Sequence, residues 1–270
     1  RRINRIKRIP QILTYHTKYE YDFDQRVKSL VVRHRAYGFL LNNINSADEV
    51  WVTSKGTVDS LIKVGYEGDY IVMPNGCDLP KLDCTEDMKA MIRRKHGIPE
   101  GIPILLFVGR MMWYKNLRII LDACKLLKES GRDYRMIIIG MGPEENAIKK
   151  YAAKLNIGDK VIFTGQILDR QELQIYYGTA DMLVFPSTFD TNGLVVREAA
   201  ASATPAIVVA NSCASEGITD CETGFLCLES SRSVAKVIDR IADNKDLLHR
   251  VGQNARNNIY ISWDESIANA

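Results

Sequence analysis

The chain has 270 residues, more than one average domain, of which 46% are hydrophobic and 26% charged. That balance excludes a disordered, collagenous or coiled-coil chain and describes one able to bury a large core. Net charge is only +3, from 36 basic and 33 acidic residues, which argues against a dedicated nucleic-acid binder.

In chain order, apolar runs at 11–16 (QILTYH), 49–54 (EVWVTS) and 70–76 (YIVMPNG) read as strands with helices between them. Three strands are half of an open parallel sheet and marginal alone. The first βα units of this domain are therefore expected to lie outside the sequence given. Residues 77–101, with polar KLDCTEDMK and then HGIPEGIP, read as a linker. A second series follows: strands at 104–109, 135–140, 161–165, 182–187, 205–210 and 224–228, a complete doubly wound set. Asn116 is a good N-cap residue for the helix after the first of these, and Gly131 ends that helix. A long helical tail runs to the end.

Six cysteines carry no CxxC pair and read as reduced thiols, so neither zinc nor a disulfide framework is indicated. The longest uncharged stretch, 199–215, holds Pro205 and many small or polar residues and is not a membrane span. No signal peptide precedes RRINRIKR and the chain does not begin with Met, which predicts a cytoplasmic protein and a longer polypeptide.

Two constellations could carry chemistry. Arg110 leaves the carboxyl end of a strand and Lys115 sits just before the next helix, on the crevice side where open α/β sheets bind ligands. A guanidinium and an ammonium beside a helix N-terminus suit a diphosphate; for such a pair alone, solvated loop cations are the default reading. In PSTFDTNGLVVREAAASATP (186–205), a loop carries Asp190 and a helix starts near Gly193. This leaves the N–H groups of Asn192, Gly193 and Leu194 free for an anion. Glu198 lies about 7 Å further along, within reach of a ribose whose phosphates sit at the helix start.

These residues also carry a resemblance. Gly109-Arg110 followed by Lys115-Asn116, then PSxxD, NGLVVREA and the proline after SAT, are similar to the family-4 glycosyltransferases of GT-B fold. Asp190 and Glu198 match that family's E-x7-E motif with Asp in the first place, a change that bears on sugar specificity. SADEVWVTS, MPNGCDLP and GTADMLVFPS extend the match over most of residues 10–265, and TYHTKYEYD resembles the branch containing diacylglycerol glucosyltransferases.

The resemblance implies an α/β protein of two Rossmann-like domains with parallel sheets. Residues 1–80 would be a partial acceptor-side domain, 81–101 the linker, 102–262 the nucleotide-sugar domain and 263–270 the start of a crossover segment. It implies Arg110, Lys115 and the N–H groups of Asn192, Gly193 and Leu194 at the donor diphosphate, and Glu198 at the ribose. It places Asp190 facing the transferred sugar and His16 hydrogen-bonded to that sugar. A lone His at a strand end is otherwise a structural hydrogen-bonder. The implied reaction is hexosyl transfer with retention from a nucleotide-diphospho-sugar, taken as a UDP-hexose, to an acceptor hydroxyl such as that of a glycolipid. No cofactor and no obligatory metal are implied. Alternatives from other classes are a GT-B isomerase acting without an acceptor and a catalytically silent nucleotide-sugar binder.

Three signals compete. Asp22-Phe-Asp24 spells a metal-binding DxD triplet, read here as a solvated loop or helix start. Gly140-Met-Gly142 follows a strand but lacks the third glycine of a dinucleotide fingerprint. Arg1, Arg2, Arg5, Lys7 and Arg8 form a basic cluster that could touch anionic lipid, predicting peripheral contact at the inner membrane face; an exposed loop or helix face is the plainer reading.

Overall fold

The computed structural model of the protein describes residues 9–19, 23 and 27–268. Asp22, Asp24 and the cluster from Arg1 to Arg8 lie outside the described residues, and so do their two readings.

The chain builds two parallel sheets. The larger holds β4 (Ile104–Val108), β5 (Arg135–Ile139), β6 (Val161–Gly165), β7 (Met182–Phe185), β8 (Ala206–Val209) and β9 (Phe225–Cys227). Their spatial order is β6-β5-β4-β7-β8-β9, the doubly wound order, whose switch point falls between β4 and β7. Every residue of β4, β7 and β8 is buried. That explains their unbroken apolar runs, since helices cover both faces. Leu106 pairs with Ile137 on one side and Leu183 on the other, and Phe107 stacks on Phe185 with centroids 6.0 Å apart.

Helix α4 (Leu117–Glu129) follows β4 and buries Leu117, Ile120, Leu121, Cys124 and Leu127 at helical spacing. Gly131 turns the chain away at φ 80°. Asn116, however, does not cap this helix. A 3₁₀ turn over Trp113–Lys115 ends in Asn116 at φ 59°, and its side chain makes no capping bond. Helices α5 (Glu145–Lys154), α6 (Arg170–Thr179), α7 (Leu194–Ala201), α8 (Ser231–Ile241) and α9 (Lys245–Asn258) complete the layers.

The smaller sheet, in order β1-β2-β3, holds β1 (Ile12–Tyr15), β2 (Glu49–Val52) and β3 (Ile71–Val72). Helices α1 (Leu30–Ile44) and α2 (Lys55–Lys63) fill the crossovers. The third strand is far shorter than 70–76, and after it the chain runs to residues 261–263. Cys77 bridges Ser262, and Trp263, at the start of α10 (Trp263–Ala268), donates from Nε1 to Asp78 at 2.7 Å.

The stretch expected as a linker carries α3 (Glu86–Lys95) in its middle. Thr85 caps it, Glu86 and Asp87 sit in the first turn, and Arg93, Arg94 and Lys95 in the last, an arrangement that complements the helix dipole. The helix packs on α6 through Ile92, with Ile98 also in the main core. One buried side chain in a polar helix leaves almost no apolar period to read.

The small sheet has its own core of Tyr15, Ile44, Val50, Val52, Val58, Leu61, Val64 and Tyr66, separate from the large one. Leu61→Ala should therefore remove about 2–5 kcal/mol from this unit alone. Limited proteolysis should cut first within 10–75 and leave 102–262 intact. Simultaneous loss of both regions would show that the two cores unfold as one.

Candidate functional site

The carboxyl ends of β4 and β7 open onto the switch-point crevice, and the loops leaving them carry the expected residues. From β4 the chain runs through Gly109 and Arg110 to the 3₁₀ turn bearing Lys115. Two glycines of the neighbouring loop let it pass closely. A Cβ on Gly140 would stand 1.9 Å from the Gly109 carbonyl oxygen, and one on Gly142 2.3 Å from that of Met111. Gly140 and Gly142 thus shape the crevice wall, the role that the incomplete dinucleotide fingerprint left open. Arg110 is exposed, with no ion-pair or hydrogen-bond acceptor for its guanidinium among the described residues. It edges a cavity of about 420 Å³ lined by Val108, Ile139, Met141, Gln166, Ile167 and Leu173.

The second loop brings Asp190 to Lys115. Lys115 Nζ donates to Asp190 Oδ1 at 2.5 Å, and both side chains are less than one-fifth exposed. The other carboxylate oxygen, Asp190 Oδ2, is buried without a partner, as is Ser187 Oγ in the same loop. Buried polar atoms seldom go unpaired. Two within four residues, beside a lysine, mark a place prepared for a polar ligand. Asn116, freed from capping, donates from its amide to Pro186 O at 2.8 Å and to Glu229 Oε1 at 2.7 Å. Thr188 Oγ1 also donates to Glu229 Oε1, at 3.0 Å.

Helix α7 begins at Leu194, with Gly193 left-handed at φ 63°. A Cβ there would come within 2.8 Å of Ala214, so glycine meets both the conformation and the space. The N–H groups of Asn192, Gly193 and Leu194 find no acceptor among the described residues, leaving the helix N-terminus open to an anion.

Glu198 sits one turn into the helix, apart from the Lys115–Asp190 pair. Tyr177 Oη donates to its Oε2 at 2.7 Å. Burial raises its pKa above the ordinary carboxylate value, opposed by the Tyr177 bond and by Arg170. Its other oxygen is not among the buried atoms lacking a partner.

His16 follows β1, and desolvation lowers its pKa although the residue is exposed at one side. Two residues on, Lys18 Nζ donates to Thr188 O at 3.1 Å, which lays this segment across the Asp190 loop. Lys18, Glu229 and the hydroxyls of Thr53, Ser54 and Thr57 are site neighbours that sequence reading did not single out. VTS stood within a matching motif, but nothing in the sequence assigns it a contact. Among the described residues, no group of three or more His, Cys, Asp or Glu is placed to hold a metal ion. No helix there is long and apolar enough to cross a membrane.

Residues 88–258 match the family described as glycosyl transferases group 1. The chain is 31% identical over 250 residues to alpha-monoglucosyldiacylglycerol synthase of Streptococcus pneumoniae, covering 91% of this chain and 56% of that protein. Sucrose-phosphate synthase from Thermosynechococcus elongatus superposes with a TM-score of 0.82 at 26% identity, over 96% of this chain and 65% of that one. Anabaena HepE in complex with UDP-glucose superposes with a TM-score of 0.79 at 19% identity, over 94% and 68%. This chain thus spans little more than half the length of its curated relative.

The raised pKa of Glu198 has a sign that can be tested. A folded-state value above the unfolded one contributes stability below about 4.5, lost as pH rises through the raised value. Glu198→Gln keeps an oxygen for Tyr177 and removes the ionisation. The variant should gain on wild type in melting temperature between pH 4 and pH 7. A constant difference across that range would contradict the shift.

Proposed function

From the premise that the chain belongs to the glycosyl transferases group 1 family, we propose that it binds a nucleotide-diphospho-sugar at the β4–β7 switch point and transfers the sugar to an acceptor hydroxyl. The fold is GT-B-like, with two facing parallel-sheet units. The observation that carries the reading is the Lys115–Asp190 pair, with Asp190 Oδ2 orphaned, beside the open N-terminus of α7.

Arg110, Lys115 and the N–H groups of Asn192, Gly193 and Leu194 receive the diphosphate. They place fixed positive groups where charge grows on the leaving group, which favours the transition state over the bound ground state. The base enters the cavity beside Arg110, and the ribose hydroxyls reach Glu198. Asp190 Oδ2 accepts a hydroxyl of the sugar, and His16 approaches the sugar from the opposite unit. Retention by a front-face route, in which leaving-group and acceptor oxygens share one face, is what the resemblance to the family-4 enzymes implies for this transfer.

The donor is a UDP-hexose and the acceptor a glycolipid, in line with a relative named alpha-monoglucosyldiacylglycerol synthase and a like-folded protein crystallised with UDP-glucose. We place the protein on the cytoplasmic side of a membrane, touching it peripherally. Mass spectrometry of products, from a panel of nucleotide sugars and a lipid extract, tests this. A mass increase of one hexose on a lipid supports it. Donor conversion without acceptor would point to an isomerase, and binding without turnover to a silent binder.

Arg110→Ala and Lys115→Ala should each weaken UDP binding by about 10-fold to 150-fold, the equivalent of about 1.5–3 kcal/mol for a charge-assisted contact. Uridine should be much less affected. Equal losses for uridine and UDP in calorimetric titration would sink the diphosphate assignment.

Protein cations carry the charge in this reading, so chelation by EDTA should leave hexose transfer largely intact. Complete loss, restored by manganese, would require a metal at the diphosphate.

A further inference from the structure

The loop that carries Asp190 does not hold itself in place. No backbone hydrogen bond joins residues 187–192 to one another among the described residues. Its stays come from outside, and several come from the other unit. The Thr191 carbonyl oxygen receives Ser54 Oγ at 2.6 Å and Thr57 Oγ1 at 2.9 Å, with Thr53 Oγ1 at the outer limit of 3.5 Å. In the opposite direction, Asn192 Nδ2 donates to Thr53 O at 2.9 Å.

These hydroxyls are buried, with Thr53, Ser54 and Thr57 each at most 3% exposed. Ser54 also accepts from Thr57 N at 3.1 Å as the cap of α2, so its single proton is free to point at Thr191. Thr57 has one proton and three oxygens in reach, Thr191 O, Ser54 Oγ at 2.6 Å and Thr53 Oγ1 at 3.5 Å. Around this knot the units touch closely. Lys55 N donates to the Glu216 carboxylate at 2.9 and 3.1 Å, and a Cβ on Gly56 would lie 2.6 Å from Cys213 Sγ.

We infer that Ser54 and Thr57 are positioning residues for the donor sugar: by gripping the Thr191 carbonyl, the N-terminal unit aims the adjacent Asp190 carboxylate into the crevice. The ion pair to Lys115 fixes one carboxylate oxygen from the C-terminal side. The grip one residue later sets which way the free oxygen faces. Of the diphosphate groups, the Asn192 N–H belongs to the gripped peptide itself, while Arg110 and the Leu194 N–H lie outside it. Losing the grip therefore bears more on the sugar than on the nucleotide. This inference rests on the donor reading for its consequence, and on geometry alone for the grip.

The test uses Thr57→Val, which keeps the Ser54 cap, the double variant Ser54→Ala/Thr57→Val, and Thr57→Ser as the conservative control. In the protein without nucleotide, chymotryptic cleavage after Phe189 should quicken about 10-fold in the double variant, the factor of one ordinary hydrogen bond. Cleavage after Phe107, in β4, should not change. UDP and UDP-glucose are then titrated separately. UDP-glucose affinity should fall more than UDP affinity, as it should in Asp190→Asn, with Thr57→Ser close to wild type. Unchanged loop cleavage, or an equal fall in affinity for both ligands, would overturn the inference. If wild type binds neither ligand the donor reading fails, and the cleavage result still decides the grip.

Discussion

Lys115 and Asp190 leave different strands of one sheet, and their charges meet at 2.5 Å where little water reaches them. Two charges so placed must be brought together by rigid surroundings, because desolvation works against both. Much of the crevice is arranged to that end. Glycines at 140 and 142 let the β5 loop press against the β4 loop, the 3₁₀ turn lifts Lys115, and Asn116 gives up capping to tie that turn to Pro186 and Glu229. The left-handed Asn116 is the visible strain of this arrangement.

The pair leaves a definite imbalance. One carboxylate oxygen is paired and the other is buried without a partner, so the ligand-free site holds an unmet acceptor beside a cation already engaged. In the proposed reading a diphosphate would offer Lys115 a second anion, and a sugar hydroxyl would offer Asp190 Oδ2 a donor, so both halves of such a ligand meet groups the protein leaves unmatched. A second cavity of about 410 Å³, near the amino ends of β7 and β8, differs in kind. Its cations Lys89, Lys245 and Arg256 are paired with Glu86, Asp181 and Asp83, and its one buried unpaired atom among the described residues, Arg256 Nε, is a donor with no anion-binding partner beside it.

The two units are unequal in how they stand. Among the described residues the larger has six strands and a continuous core, while the smaller has three and a separate core of eight residues. The smaller is joined to the larger at Thr191, Glu216 and Ser262. Two of those meeting points border the Asp190 loop and the start of α7, so the contacts that steady the small unit also bear on the site.

Patterns local in the chain were legible without a fold. Continuous apolar runs marked β4, β7 and β8, because a strand buried on both faces has no polar face to show, while the partly buried edge strands β6 and β9 gave shorter runs. The positions of Arg110, Lys115, Asp190, Gly193 and Glu198 relative to strand ends and a helix start followed from those runs, and of these the structure brings Lys115 and Asp190 into contact. The helix within 81–101 escaped because one buried Ile92 leaves no period, and β3 is shorter than its apolar run, pairing with β2 only at Ile71 and Val72. What only tertiary structure decided is every contact made across long separation: Asn116 with Glu229, Lys18 with Thr188, and Ser54 with Thr191. A hydroxyl or amide carries no periodicity that names its partner. Which acceptor it meets depends on where two sheets place their loops, and residue order along the chain does not specify that distance.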